Sequence, residues 1–108
     1  MKVEYFVKEV EFTKDVFEVL EEISAHRDGY VEAIGYLKNP VIGWFEADKR
    51  EYKKIELKGG YELLSLKGYK SNGNWHVHVV LGDQEGRAFG GHLFEGKPFK
   101  LEGTFTLN

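Results

Sequence analysis

Trp75-His76-Val77-His78-Val79-Val80-Leu81-Gly82-Asp83-Gln84-Glu85-Gly86-Arg87-Ala88-Phe89-Gly90-Gly91-His92-Leu93 is the stretch that decides how this chain folds. It reads as two strands folded back on each other. Apolar Trp75, Val77, Val79 and Leu81 alternate with His76, His78 and Val80, the pattern of a strand with one face on a core. The loop from Gly82 to Gly86 is too short for a parallel crossover, so the two strands are expected to run antiparallel. His76 and His78 share the face opposite the core and lie about 6.5–7 Å apart at Cα from strand rise alone. Whether His92 joins them is a matter of parity. A loop centred on Glu85 sets residue 92 opposite residue 78 and on the same face, whereas a centre half a residue away turns His92 to the other face.

Working outward, one segment has helical spacing, 13 to about 25. Thr13 stands at its N-cap position and Asp15 in its first turn; Val16, Phe17, Leu20 and Ile23 form one apolar stripe, and Gly29 is a natural terminator. His26 reads as a cation at the helix end rather than a metal ligand. Most of the rest has strand character, in segments 3–10, 30–37, 41–46, 52–57, 62–70, 74–81, 88–94 and 99–107. Asn39-Pro40, Lys58-Gly59-Gly60 and Asn72-Gly73 supply the turn chemistry between them. The expectation is an α+β fold, with a single curled, largely antiparallel sheet of about seven strands packed with one main helix.

The chain has 108 residues, 42% of them hydrophobic and 15% aromatic, which suits one folded domain over residues 1–108. It has no cysteine, so disulfides and thiolate metal sites are excluded and a cytoplasmic location is expected. The N-terminal residues Met1-Lys2-Val3-Glu4-Tyr5 lack an apolar signal core, and no apolar run reaches membrane-spanning length. Net charge is −3, with acidic and basic residues interleaved. Affinity for DNA rests mainly on neutralising phosphates, so this balance disfavours nucleic acid as a partner. Heavy use of Lys and Glu hints at a thermophilic source.

Three imidazoles on one face are a recognised zinc-binding donor set, and nickel, copper or iron would also accept them. His76, His78 and His92 are therefore the candidate metal ligands, with zinc the first choice. Three protein ligands would leave a coordination position open. Asp83, Glu85 and Glu95 are candidates to orient the ligands, and Arg87 or Lys97 to hold an anion beside them. The plainer reading is an exposed strand in which His happens to alternate with Val. Gly90 and Gly91 remove side chains that would crowd either a bound ion or a neighbouring backbone.

The run Gly60-Tyr61-Glu62-Leu63-Leu64-Ser65-Leu66-Lys67-Gly68, then His76-Val77-His78-Val79-Val80-Leu81-Gly82-Asp83, then Gly86-Arg87-Ala88-Phe89-Gly90-Gly91-His92-Leu93, resembles the PPC domain (plant and prokaryote conserved domain). Ala33-Ile34-Gly35 and Gly43-Trp44-Phe45 are similar to that family's Gly-Ile-Gly and Gly-Tyr-Tyr segments, with Ala33 in place of a glycine. The resemblance spans nearly the whole chain. It implies an antiparallel α+β sheet, a homotrimer and a metal site at His76, His78 and His92. In plants the domain follows AT-hooks in nuclear DNA-binding proteins, so a DNA-binding role is implied by family.

Three functions are thus in play. The first is a homotrimeric scaffold or regulatory module that binds partners through aromatics such as Tyr30, Tyr36, Trp44, Phe45, Tyr61, Phe89 and Phe94. The second is a zinc-dependent enzyme acting on a small carbonyl or carboxylate substrate, because the pattern is also similar to that of acetolactate decarboxylase. There Glu85 or Glu95 would shuttle a proton, and no catalytic residue is fixed. The third is sequence-nonspecific DNA binding.

Overall fold

The computed structural model describes residues 1–108. Six strands and one helix follow the order β1 (Lys2–Glu9), α1 (Val16–Ser24), β2 (Gly29–Glu46), β3 (Glu51–Glu56), β4 (Gly60–Ser71), β5 (Asn74–Gly82) and β6 (Ala88–Leu107). Strand accounts for 68% of the chain, so the fold is largely β rather than an even α+β mixture. The strands run in the order β1-β6-β5-β4-β2-β3, every pairing is antiparallel, and β2 also pairs with β6. That last pairing closes the row β6-β5-β4-β2 on itself, so the expected curl becomes a small barrel.

The eight segments of strand character become six strands because two supposed breaks are bends. Asn39-Pro40 lies inside β2, where Asn39 takes a left-handed conformation (φ 51°) and the register with β6 shifts between Lys38 and Val41. The Asn39 and Gly59 amides donate to the Gly59 carbonyl and the Asn39 side chain respectively, so the irregular backbone is satisfied locally. Past the bend β2 exchanges β4 for β3 as its neighbour. Segment 95–98 behaves likewise in β6, which leaves β5 and takes up β1. The Asn72-Gly73 expectation is met: both residues have positive φ (52° and 81°), as a two-residue hairpin turn requires, and the Asp28 carboxylate accepts from both amides.

The helix is shorter than its apolar pattern suggested. Asp15, not Thr13, is the N-cap: its carboxylate accepts from the Phe17 amide while Glu18 reaches back to the Asp15 amide. Thr13 instead bonds the Val10 carbonyl. The C-terminus turns at Ala25 and His26, both left-handed (φ 50° and 62°), so Gly29 is the first residue of β2 rather than the terminator. Val16, Val19, Leu20 and Ile23 face a core built from Val31, Leu37, Leu66, Val77, Leu101 and Phe105, among others. Burying a side chain of this size contributes about 1.5–3 kcal/mol. No helix is long and apolar enough to cross a membrane.

Candidate metal centre

Strand β5 is sorted as its alternation required. Val77, Val79 and Leu81 are buried; His76 and His78 face outward. The loop that follows is organised by Asp83. Its carboxylate accepts from the Glu85 and Arg87 amides, both at 2.9 Å, and from Arg87 Nε at 2.7 Å. The Arg87 amide, then its guanidinium, hold that carboxyl below the usual range. The loop is centred on Glu85, and His78 pairs with His92.

The two rings lie 5.2 Å apart between centroids and nearly perpendicular, at 86°. His92 is further enclosed by Tyr52 and Phe94, each 4.8 Å away. Its Nδ1 is buried and has no hydrogen-bond partner. Burial, followed by the neighbouring charges of His78 and His76, holds His92 below the ordinary imidazole value. This favours its neutral form, the one that binds metal. An orphaned buried nitrogen costs about 1–3 kcal/mol unless something occupies its lone pair or takes its proton.

His76 is placed differently. Its ring stacks on Tyr69 at 4.9 Å and 25°, because the Asn72-Gly73 turn sets residue 69 opposite residue 76. The structure brings two of the three imidazoles together and turns the third toward β4. No group of three or more His, Cys, Asp or Glu side chains is arranged to hold a metal ion. The donor set fits a metal in part: His92, with its unpartnered buried nitrogen, and the adjacent His78 suit one, whereas His76 would have to leave Tyr69. His76 and His78 also line a shallow groove of about 310 Å³ with Tyr30, Glu32, Lys67 and Tyr69.

None of the other candidates hydrogen-bonds a ring of His76, His78 or His92. Asp83, Glu85 and Arg87 bond one another within the loop and line a separate pocket with Lys58, Tyr61 and Phe89. Glu95 pairs in register with Val41 and Lys97 with Lys38, around the bend of β2. His26 stands 2.9 Å from Glu21 at the helix end. Gly91 serves the neighbouring backbone: a Cβ there would come 2.5 Å from the Gly43 carbonyl oxygen of β2.

The residues that sequence reasoning overlooked are Tyr69 and Tyr52. Tyr69 was within reach, since the Asn72-Gly73 turn already fixes its register. Tyr52 comes from β3 across β2, a placement with no local signal.

Among known proteins, the model of the Plants and Prokaryotes Conserved (PCC) domain matches residues 2–102. A plant- and prokaryote-conserved protein from Pyrococcus horikoshii is 38% identical, with a TM-score of 0.85 over 100% of this chain and 80% of that one. A metal-containing protein from Archaeoglobus fulgidus is 33% identical, with a TM-score of 0.81 over 97% of this chain and 80% of that one. A Bacteroides thetaiotaomicron protein with a provisional DNA-binding name shares the fold at 18% identity, with a TM-score of 0.78 over 95% of this chain and 83% of that one. No curated protein matches the chain.

Proposed function

The chain belongs to the Plants and Prokaryotes Conserved (PCC) domain family, and on that premise we propose that it is a metal-binding, homotrimeric scaffold or regulatory protein. The observation that carries the metal is the buried, unpartnered Nδ1 of His92, in a ring whose centroid lies 5.2 Å from that of His78. Zinc is the ion of first choice, with His78 and His92 as two ligands and His76 as the third once its ring turns from Tyr69. The similarity to the metal-containing Archaeoglobus protein supports this reading. Bound there, the ion would fix the β5–β6 hairpin and could accept one outside ligand, such as a carboxylate from a partner.

The enzyme alternative asks for a proton-transfer group beside the imidazoles. Asp83 and Glu85 are instead bonded to Arg87, and Glu95 lies around the bend of β2. DNA binding is the second reading, suggested by the names of structural neighbours and opposed by the net charge of −3. Retention of duplex DNA at low salt would favour it.

Elemental analysis of the purified protein tests the metal. One equivalent of zinc per chain is expected in the wild type, and a loss of at least tenfold in the His78→Ala protein with its circular dichroism unchanged. Equal metal content in the two proteins would refute the site.

A further inference from the structure

The ring of His76 is open to two partners. One is an ion shared with His78 and His92, whose rings stand 5.2 Å apart on the outer face of the sheet. The other is Tyr69 of β4, whose ring lies 4.9 Å from that of His76 and at 25° to it, nearly face on face. The ring serves one partner at a time. As stacked, it is not gathered with His78 and His92 into a set of three metal donors.

Local register explains why His76 alone is drawn aside. Pairing between β5 and β6 runs from Gly82–Ala88 to His78–His92 and stops there. His78 therefore stands between Lys67 of β4, which offers no planar face, and His92 of β6. His76 lies beyond that pairing, with a cross-strand neighbour on β4 alone, and the neighbour is Tyr69. Directly opposed side chains share a face, so the pairing itself brings the two rings together. Tyr69 is backed on its other side by Tyr30, its partner in β2, at 6.2 Å between centroids. Tyr30 and Tyr69 are 53% and 44% exposed, so the core does not depend on this row of rings.

We propose that Tyr69 competes with the metal for His76 and thereby sets the affinity of the three-histidine site. This deepens the metal-binding reading above and rests on it. With His76 stacked, only two imidazoles are available to an ion, and recruiting the third means breaking the stack. The apparent affinity then falls below the intrinsic one in proportion to the fraction of molecules whose His76 is free. An aromatic stack changes that balance roughly 2- to 12-fold. The coupling is reciprocal. Metal uptake uncovers the face of Tyr69 in the groove that it lines with Tyr30, Glu32 and Lys67, so the metal state is displayed on β4.

The test is zinc affinity by competition with a chromogenic chelator, for wild type, Tyr69→Leu, Tyr69→Phe, His76→Ala and the Tyr69→Leu/His76→Ala double variant. Tyr69→Leu removes the flat face and should tighten binding roughly 2- to 12-fold, the opposite sign from damage to the site. Tyr69→Phe keeps the ring and should match the wild type. In the His76→Ala background Tyr69→Leu should change nothing, because the ring it would release is gone. If Tyr69→Leu fails to fold, nuclear Overhauser contacts between the His76 and Tyr69 rings of the wild type decide. They should be present in chelator and lost with one equivalent of zinc. A folded Tyr69→Leu protein that binds zinc no tighter, equal tightening in Tyr69→Phe, tightening that persists without His76, or ring contacts that survive zinc saturation would each overturn the competition and leave the metal site standing. A wild type that takes up no zinc would overturn both.

Discussion

His92 is the residue on which the site turns. Its Nδ1 is buried without a partner, its ring is walled by Tyr52 and Phe94, and its neutral form is favoured by burial. Such an atom costs the metal-free protein stability, and the cost should vanish when the ring carries no nitrogen. In the metal-free protein, His92→Phe should leave stability unchanged or raise it by about 1 kcal/mol, because it removes an unsatisfied buried group. The same change should abolish metal uptake. Urea denaturation of both proteins in chelator checks the first half; a loss above about 2 kcal/mol would mean that His92 is satisfied in a way not seen here.

Much of this site was legible at the residue scale. The parity of β5 set His76 and His78 on one face, because side-chain period is a local property; the sequence left the loop centre open, and the structure places it at Glu85, with His78 opposite His92. The stacking of His76 on Tyr69 was not foreseen, although the hairpin register allows it. Strand parity states which face a side chain leaves from, and ring torsion decides where it ends. Tyr52 was hidden for a different reason, since it reaches His92 only after the bend at Asn39-Pro40 brings β3 alongside.

At the scale of elements, the helix depends on a polar anchor that its apolar stripe did not announce. Glu21 accepts from Lys70 at 2.7 Å and from the Trp75 indole at 2.8 Å, and its other oxygen lies 2.9 Å from His26. Lys70 is only 4% exposed, so its ammonium relies on this carboxylate. Glu21→Gln should cost about 3 kcal/mol, the lower end for a broken buried pair, because Glu21 itself keeps some contact with solvent. The Lys70 hydrogen bond, chiefly, holds the Glu21 carboxyl below its ordinary value of 4.5. The group binds protons more weakly in the folded state than in the unfolded one. Its contribution is therefore complete above about pH 4.5 and lost as pH falls through the depressed value. Thermal midpoints between pH 3 and 7 should show that acid-side decline in the wild type and a smaller one in Glu21→Gln. Parallel curves would contradict the assignment.

β2 and β6 each run through a segment that ordinarily ends a strand. A proline after asparagine ordinarily ends a strand, and so does a Gly-Lys-Pro run. Here neighbouring strands on both sides keep supplying hydrogen bonds, so β2 and β6 continue through the irregularity and change partners. The Thr13 N-cap was displaced because the Asp15–Glu18 box satisfies more amide donors, and Asp15 also accepts from the Gly96 amide of β6.

For the whole molecule, β2 and β6 are the frame. They pair from Gly29 to Gly43 and close the barrel, and that pairing sets His92 beside Gly43. That closure depends on contacts far apart in sequence, which local patterns do not encode. We propose that this frame presents His78 and His92, with His76, to a metal ion. This is tested most directly by a zinc-edge anomalous difference map from crystals of the purified protein. The expected result is one peak within coordination distance of the His78 and His92 rings, with His76 turned from Tyr69 to join them. A zinc-supplemented crystal with no peak there, and with His92 Nδ1 still unpartnered, would contradict the claim.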